Sequence, residues 1–98
     1  MFARVISFKV PPDRLDEVDN AYRSSLLPET EKHDGFLTLL TLRNEHTNEM
    51  LELTLWQDEE SRLGSERAGG LLEWKLIALE AITGEATRVE NYELRLIS

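Results

Sequence analysis

Residues Gly35 to Trp56 read GFLTLLTLRNEHTNEMLELTLW, and this stretch decides the fold. Two runs, Phe36 to Arg43 and Glu49 to Trp56, flank the polar segment Asn44-Glu45-His46-Thr47-Asn48. Leu, Thr, Phe and Met dominate the runs while Asn, Glu and His fill the gap, the pattern of a β-hairpin. In the second run Leu51, Leu53 and Leu55 alternate with Glu52, Thr54 and Trp56. Side chains on a strand point to opposite faces with period two, so this strand has a leucine face and a mixed face. The mixed face reads as the wall of a binding pocket.

Upstream, Phe2 to Val10 (FARVISFKV) is a first strand. Phe2, Arg4, Ile6, Phe8 and Val10 share one face; Ala3, Val5, Ser7 and Lys9 share the other. Pro11-Pro12-Asp13 ends it, because proline cannot donate to a sheet ladder but fits the start of a helix. From Asp13 to about Leu27 the apolar positions become Leu15, Val18, Tyr22 and Leu26, spaced for one helical face. Pro28 ends this helix or kinks its last turn, and His33-Asp34-Gly35 turns into the hairpin.

Downstream, Gln57-Asp58-Glu59-Glu60-Ser61 has the acidic first turn of a helix N-terminus. That short helix offers Leu63 and Ala68 as its buried candidates, and Gly69-Gly70 interrupts it. Leu71 to Ile82 (LLEWKLIALEAI) forms another helix, stopped at Thr83-Gly84 by the preference for glycine after a helix end. Thr87 to Ile97 (TRVENYELRLI) is the last strand, with Tyr92, Leu94 and Leu96 on one face and Val89, Asn91, Glu93 and Arg95 on the other. The order β-α-β-β-α-β predicts an α+β fold: a four-stranded antiparallel sheet, helices on one face, the ferredoxin-like arrangement. One domain spans residues 1–98. The second sheet face is left bare, so a homodimer packed sheet against sheet is expected, with a natural cavity between the sheets.

Composition narrows the function. Hydrophobic residues make up 41% and charged residues 31%, the balance of a globular chain. No apolar run approaches the roughly 20 residues a membrane span needs, and Met1 to Arg4 runs straight into a strand without a signal-peptide pattern, so a cytoplasmic location is expected. A net charge of −8 repels phosphate backbones and anionic lipid, which argues against nucleic-acid or membrane partners. The absence of cysteine excludes disulfides, thiolate metal sites, iron–sulfur clusters and a Cys nucleophile.

The short β-α-β-β-α-β chain, the Asp34-Gly35-Phe36 entry to the hairpin, and Leu53-Thr54-Leu55-Trp56 followed by an acidic helix start resemble the antibiotic biosynthesis monooxygenase (ABM) family. The resemblance runs over essentially the whole chain and implies a dimeric α/β barrel. It also implies a cofactor-free oxygenase in which Trp56 matches the tryptophan that lines the substrate cavity. The implied substrate is a small electron-rich aromatic, a quinol or anthrone, whose anion reacts with dioxygen in a dry pocket. Haem-degrading relatives carry an iron-ligating histidine about one helical stretch beyond that tryptophan. Asp58 to Leu79 contains no histidine, with Glu66 or Arg67 near the place, which argues against haem breakdown.

Strand-face reasoning alone adds the remaining candidates. Glu52 is the candidate base beside Trp56 and Thr54, with Arg4, Asn91 or Tyr92 as donors. Each has a plainer alternative. Trp56 can be packing, and Glu52 a rim carboxylate paired with Arg4 or Arg95. Trp74 reads as core or dimer packing, and Tyr22 as helix-to-sheet packing with its hydroxyl at the edge. His33 and His46 stand in separate loops without a second ligand at helical or strand spacing, so no metal is expected; the resemblance implies no other cofactor. A non-catalytic ligand-binding or structural homodimer is the alternative to an enzyme.

Overall fold

The computed structural model describes residues 1–98. Four strands, β1 (Phe2–Lys9), β2 (Phe36–Asn44), β3 (Glu49–Trp56) and β4 (Arg88–Glu93), form one sheet in the order β2-β3-β1-β4. Every neighbouring pair is antiparallel. Helices α1 (Leu15–Ala21), α2 (Leu27–Glu31), α3 (Glu59–Gly64) and α4 (Leu71–Thr83) cover one face. This is the ferredoxin-like α+β arrangement that the element order predicts. No helix is long and apolar enough to cross a membrane.

The two central strands give the covered face two different ends. Going down β1, Phe8 and Ile6 are apolar and Arg4 follows; on β3, Met50 is followed by Glu52, Thr54 and Trp56. Register places Phe8 opposite Met50, Ile6 opposite Glu52, and Arg4 opposite Thr54. The apolar end packs Ile6, Phe8, Val10 and Met50 against Val18, Tyr22, Leu26 and Leu79. The predicted stripe Val18, Tyr22, Leu26 is buried as the spacing requires.

Four local expectations change. The first helical region runs past Pro28 to Glu31 because a wide π turn, Tyr22–Leu26, joins α1 to α2. A turn with longer-range bonding tolerates the missing proline N–H that would break a regular ladder. In α3 the buried residues are not Leu63, which is exposed, nor Ala68, but Arg62 and, just beyond, Ser65. The helix turns its polar side inward because the sheet beneath it is polar. Trp74 is also not core: it is 39% exposed, while α4 buries Leu71, Lys75, Leu79 and Thr83 at intervals of four. Finally, β4 stops at Glu93 rather than Ile97. Its only neighbour, β1, ends opposite Glu93 at Phe2, and one further bond, Leu94 N–H to the Met1 carbonyl at 2.8 Å, exhausts the pairing.

Other signals hold. Asp58 caps α3 by accepting from the Ser61 N–H at 2.8 Å. Gly84 ends α4 at φ 72° and Gly35 turns into β2 at φ 77°, both left-handed conformations that favour glycine. The uncovered sheet face carries Val5, Leu51, Leu53, Leu55, Leu40, Leu42 and Tyr92, of which Leu40, Leu42 and Tyr92 are exposed by 41%, 52% and 49%.

Candidate functional site

Three elements meet over the polar end of the covered face. From α4, the Lys75 ammonium lies 3.0 Å from Glu52 Oε2, and both side chains are fully buried. From β1, the fully buried Arg4 donates from Nη2 to the Arg62 carbonyl at 3.0 Å and to Ser65 Oγ, which ties the sheet to α3. Arg4 Nε stands 3.4 Å from Glu66 Oε1, and Glu66 also accepts from Arg62 at 2.9 Å. The Arg4 guanidinium lies over the Trp56 ring, 5.4 Å from its centroid, a cation–π distance. Trp56 donates from Nε1 to Thr54 Oγ1 at 3.0 Å and meets Phe36 edge-to-face at 5.8 Å.

The charges here are held by the fold. Burial pushes the Lys75 ammonium below its usual range; Glu52 opposes the shift and Arg4 adds to it. Burial likewise lowers the Arg4 guanidinium, against the pull of Glu66 and Glu52. The Tyr22 phenol is pushed far up, first by burial and then by the nearby Glu52 carboxylate. Tyr22 Oη and Glu52 Oε1 nevertheless lie outside hydrogen-bonding geometry, and each is a buried polar atom without a partner. Arg4 Nη1, Arg4 Nε and Arg62 Nε are likewise without a hydrogen-bond partner. A buried group left unsatisfied costs about 1–3 kcal/mol, so this is an expensive arrangement.

The structure unites part of the candidate set. Glu52, Thr54, Trp56 and Arg4 share the covered face and its polar end. Asn91 is opposite Arg4 on the edge strand and exposed, at a hollow of about 140 Å³. Tyr92 belongs to the uncovered face and donates to Glu90 at 2.9 Å, away from Glu52. Glu52 pairs with neither Arg4 nor Arg95 but with Lys75, and Tyr22 buries its hydroxyl instead of placing it at the edge. The expected cavity between two sheets does not involve these residues, since the leucine face is the one left open. No hollow is lined by Glu52, Thr54, Trp56 or Lys75; the site is packed shut. Lys75 and Ser65 were missed. Lys75 had a readable signal, a lysine inside the four-spaced stripe Leu71, Lys75, Leu79, Thr83.

The model of the antibiotic biosynthesis monooxygenase family matches residues 1–74. Solved structures match over nearly the whole chain. A monooxygenase from the gene ActVA-Orf6 of Streptomyces coelicolor, in complex with nanaomycin D, superposes with a TM-score of 0.80 at 14% identity, covering 99% of this chain and 89% of its own. SnoaB, a cofactor-independent oxygenase from Streptomyces nogalater, gives 0.75 at 18% identity, covering 98% and 94%. MhuD, with two manganese protoporphyrin IX groups per active site, gives 0.73 at 17% identity, covering 100% and 98%. No curated protein matches the sequence.

The buried phenol makes stability depend on alkaline pH. Its folded pKa lies above the unfolded value of about 10, so its contribution is whole below that pH. The contribution is lost as pH rises further, because the unfolded chain then releases a proton that the folded chain keeps. Urea unfolding between about pH 10.5 and 11.5 should show wild type losing about 1.4 kcal/mol per pH unit more than Tyr22→Phe. Parallel slopes would mean that Tyr22 ionises as freely folded as unfolded.

Proposed function

The chain belongs to the antibiotic biosynthesis monooxygenase family, and from that premise we propose that it is a cofactor-independent monooxygenase acting on a small electron-rich aromatic. The observation that carries the reading is the buried Glu52–Lys75 pair, on the same strand face as Trp56, with Glu52 Oε1 unpartnered. A free carboxylate oxygen in a water-free setting is what removal of a proton from a quinol or anthrone requires. Lys75 and Arg4 are cations held close to where the resulting anion's charge would develop. Thr54 holds the Trp56 indole in place, and Asn91, opposite Arg4 on the edge strand, is a further donor.

The chemistry balances without a cofactor. Glu52 takes a proton from the anthrone, and the ring anion gives an electron to dioxygen. The two radicals combine at the ring carbon as a peroxide. Loss of water leaves one oxygen atom as the new carbonyl; the other departs with the two hydrogens of the original methylene. Since the site is closed, substrate entry displaces part of the helical layer. That closed packing favours a second reading, a non-catalytic dimer that holds a small ligand or simply packs.

The open sheet face supports the homodimer. Leu53 lies at its centre, between Val5 and Leu40 in register. An apolar surface of this kind is costly to leave in water and suits a twofold contact with its own copy.

Two experiments test these proposals. Oxygen uptake by metal-free protein should exceed autoxidation with at least one hydroquinone or anthrone. It should fall about 100-fold in Glu52→Gln and less steeply in Trp56→Phe, with circular dichroism confirming that both remain folded. Undiminished uptake in folded Glu52→Gln would reject Glu52 as the base. Sedimentation equilibrium should give about twice the 11.3 kDa of one chain, reverting to a single chain in Leu53→Glu. A wild-type monomer would overturn the dimer.

A further inference from the structure

Trp74 is misplaced for a packing residue. It stands one position off the buried stripe of α4 and is 39% exposed, a large aromatic surface facing water. The indole lines a groove of about 520 Å³ between the start of α4 and the end of the first helical region. Gly70 and Leu71 form one side of it; Ser25, Glu29 and His33 form the other. That volume lies within the usual range for sites that take drug-sized ligands, about 300–1,000 Å³.

The groove and the buried site share helix α4. Leu71, only 5% exposed, precedes Lys75 by four residues and therefore lies one turn before it on the same buried face of α4. Ser25 belongs to the same π turn as Tyr22. Just before α4, Gly69 has φ 72°, and a side chain at Gly70 would come within 2.8 Å of the Arg67 carbonyl.

We propose that this groove is the docking site for a neutral, planar, hydroxylated aromatic ring system, stacked on Trp74 before it reaches Glu52. The proposal rests on the monooxygenase reading for its destination, but not for the docking itself. The flat indole face selects a planar ring. Ser25, Glu29 and His33 offer acceptors to phenolic hydroxyls around its rim. The net charge of −8 selects against a ring that carries a carboxylate or phosphate.

Equilibrium dialysis against 1,8-dihydroxyanthraquinone, an already oxidised ring that needs no turnover, tests the docking. Trp74→Ala should weaken its Kd by about tenfold, and Trp74→Phe should restore most of it. Leu63→Ala, at an exposed position outside the groove, should leave the Kd unchanged, and anthraquinone-2-carboxylate should bind more weakly than the dihydroxy ring. Three results would overturn the proposal: an equal Kd in Trp74→Ala, tighter binding of the carboxylate, or a concentration-dependent blue shift of Trp74 fluorescence showing that a second copy occupies the groove. Binding that needs Trp74 in a protein without oxygen uptake would support the docking and refute only the oxygenase.

Discussion

The ion pair between Glu52 and Lys75 is the constraint on which the arrangement depends. Two opposite charges 3.0 Å apart, both fully buried, can be neither separated nor rehydrated cheaply. Lys75 is fixed on α4, so the pair sets the rotation of that helix about its axis. Leu71 and Leu79 follow it inward, and Trp74 is turned out. Arg4 performs the same service for α3. By donating to the Arg62 carbonyl and Ser65, it holds the polar side of that helix down on the sheet.

The covered face consequently divides at the row formed by Ile6 and Glu52. On one side, interlocked aliphatic and aromatic side chains supply ordinary core packing. On the other, three cations and one deeply buried carboxylate occupy space that leucines would fill at no loss of stability, since buried ion pairs are commonly no better than well-packed apolar replacements. The unpartnered Glu52 and Tyr22 oxygens add to that cost. An arrangement that stability does not favour is the physical ground for reading this end as a site and the other as scaffold.

Much of this was legible in the sequence. Period-two alternation placed Glu52, Thr54 and Trp56 together, and Arg4 with Ile6 and Phe8, because strand geometry is local. The helix start over Gln57 to Ser61 and the Gly84 stop were equally local. What failed was tertiary. Which face the helices cover could not be read from the strands: they cover the mixed face, where Lys75 pairs with Glu52 and Arg4 reaches Glu66 and the Arg62 carbonyl. The end of β4 depends on where β1 runs out, which no feature of residues 94–97 reveals. Leu63 and Ala68 were apolar, but the sheet beneath is polar and takes Arg62 and Ser65 instead, which leaves both exposed.

The most direct test is a double-mutant cycle on the pair, read by urea unfolding at neutral pH. Glu52→Leu and Lys75→Met each strand one buried charge and should cost about 3–5 kcal/mol. The double variant should cost far less than their sum, by several kcal/mol of coupling. Costs that add to within about 0.5 kcal/mol would mean the two charges do not depend on each other, and that the polar end is not organised around them.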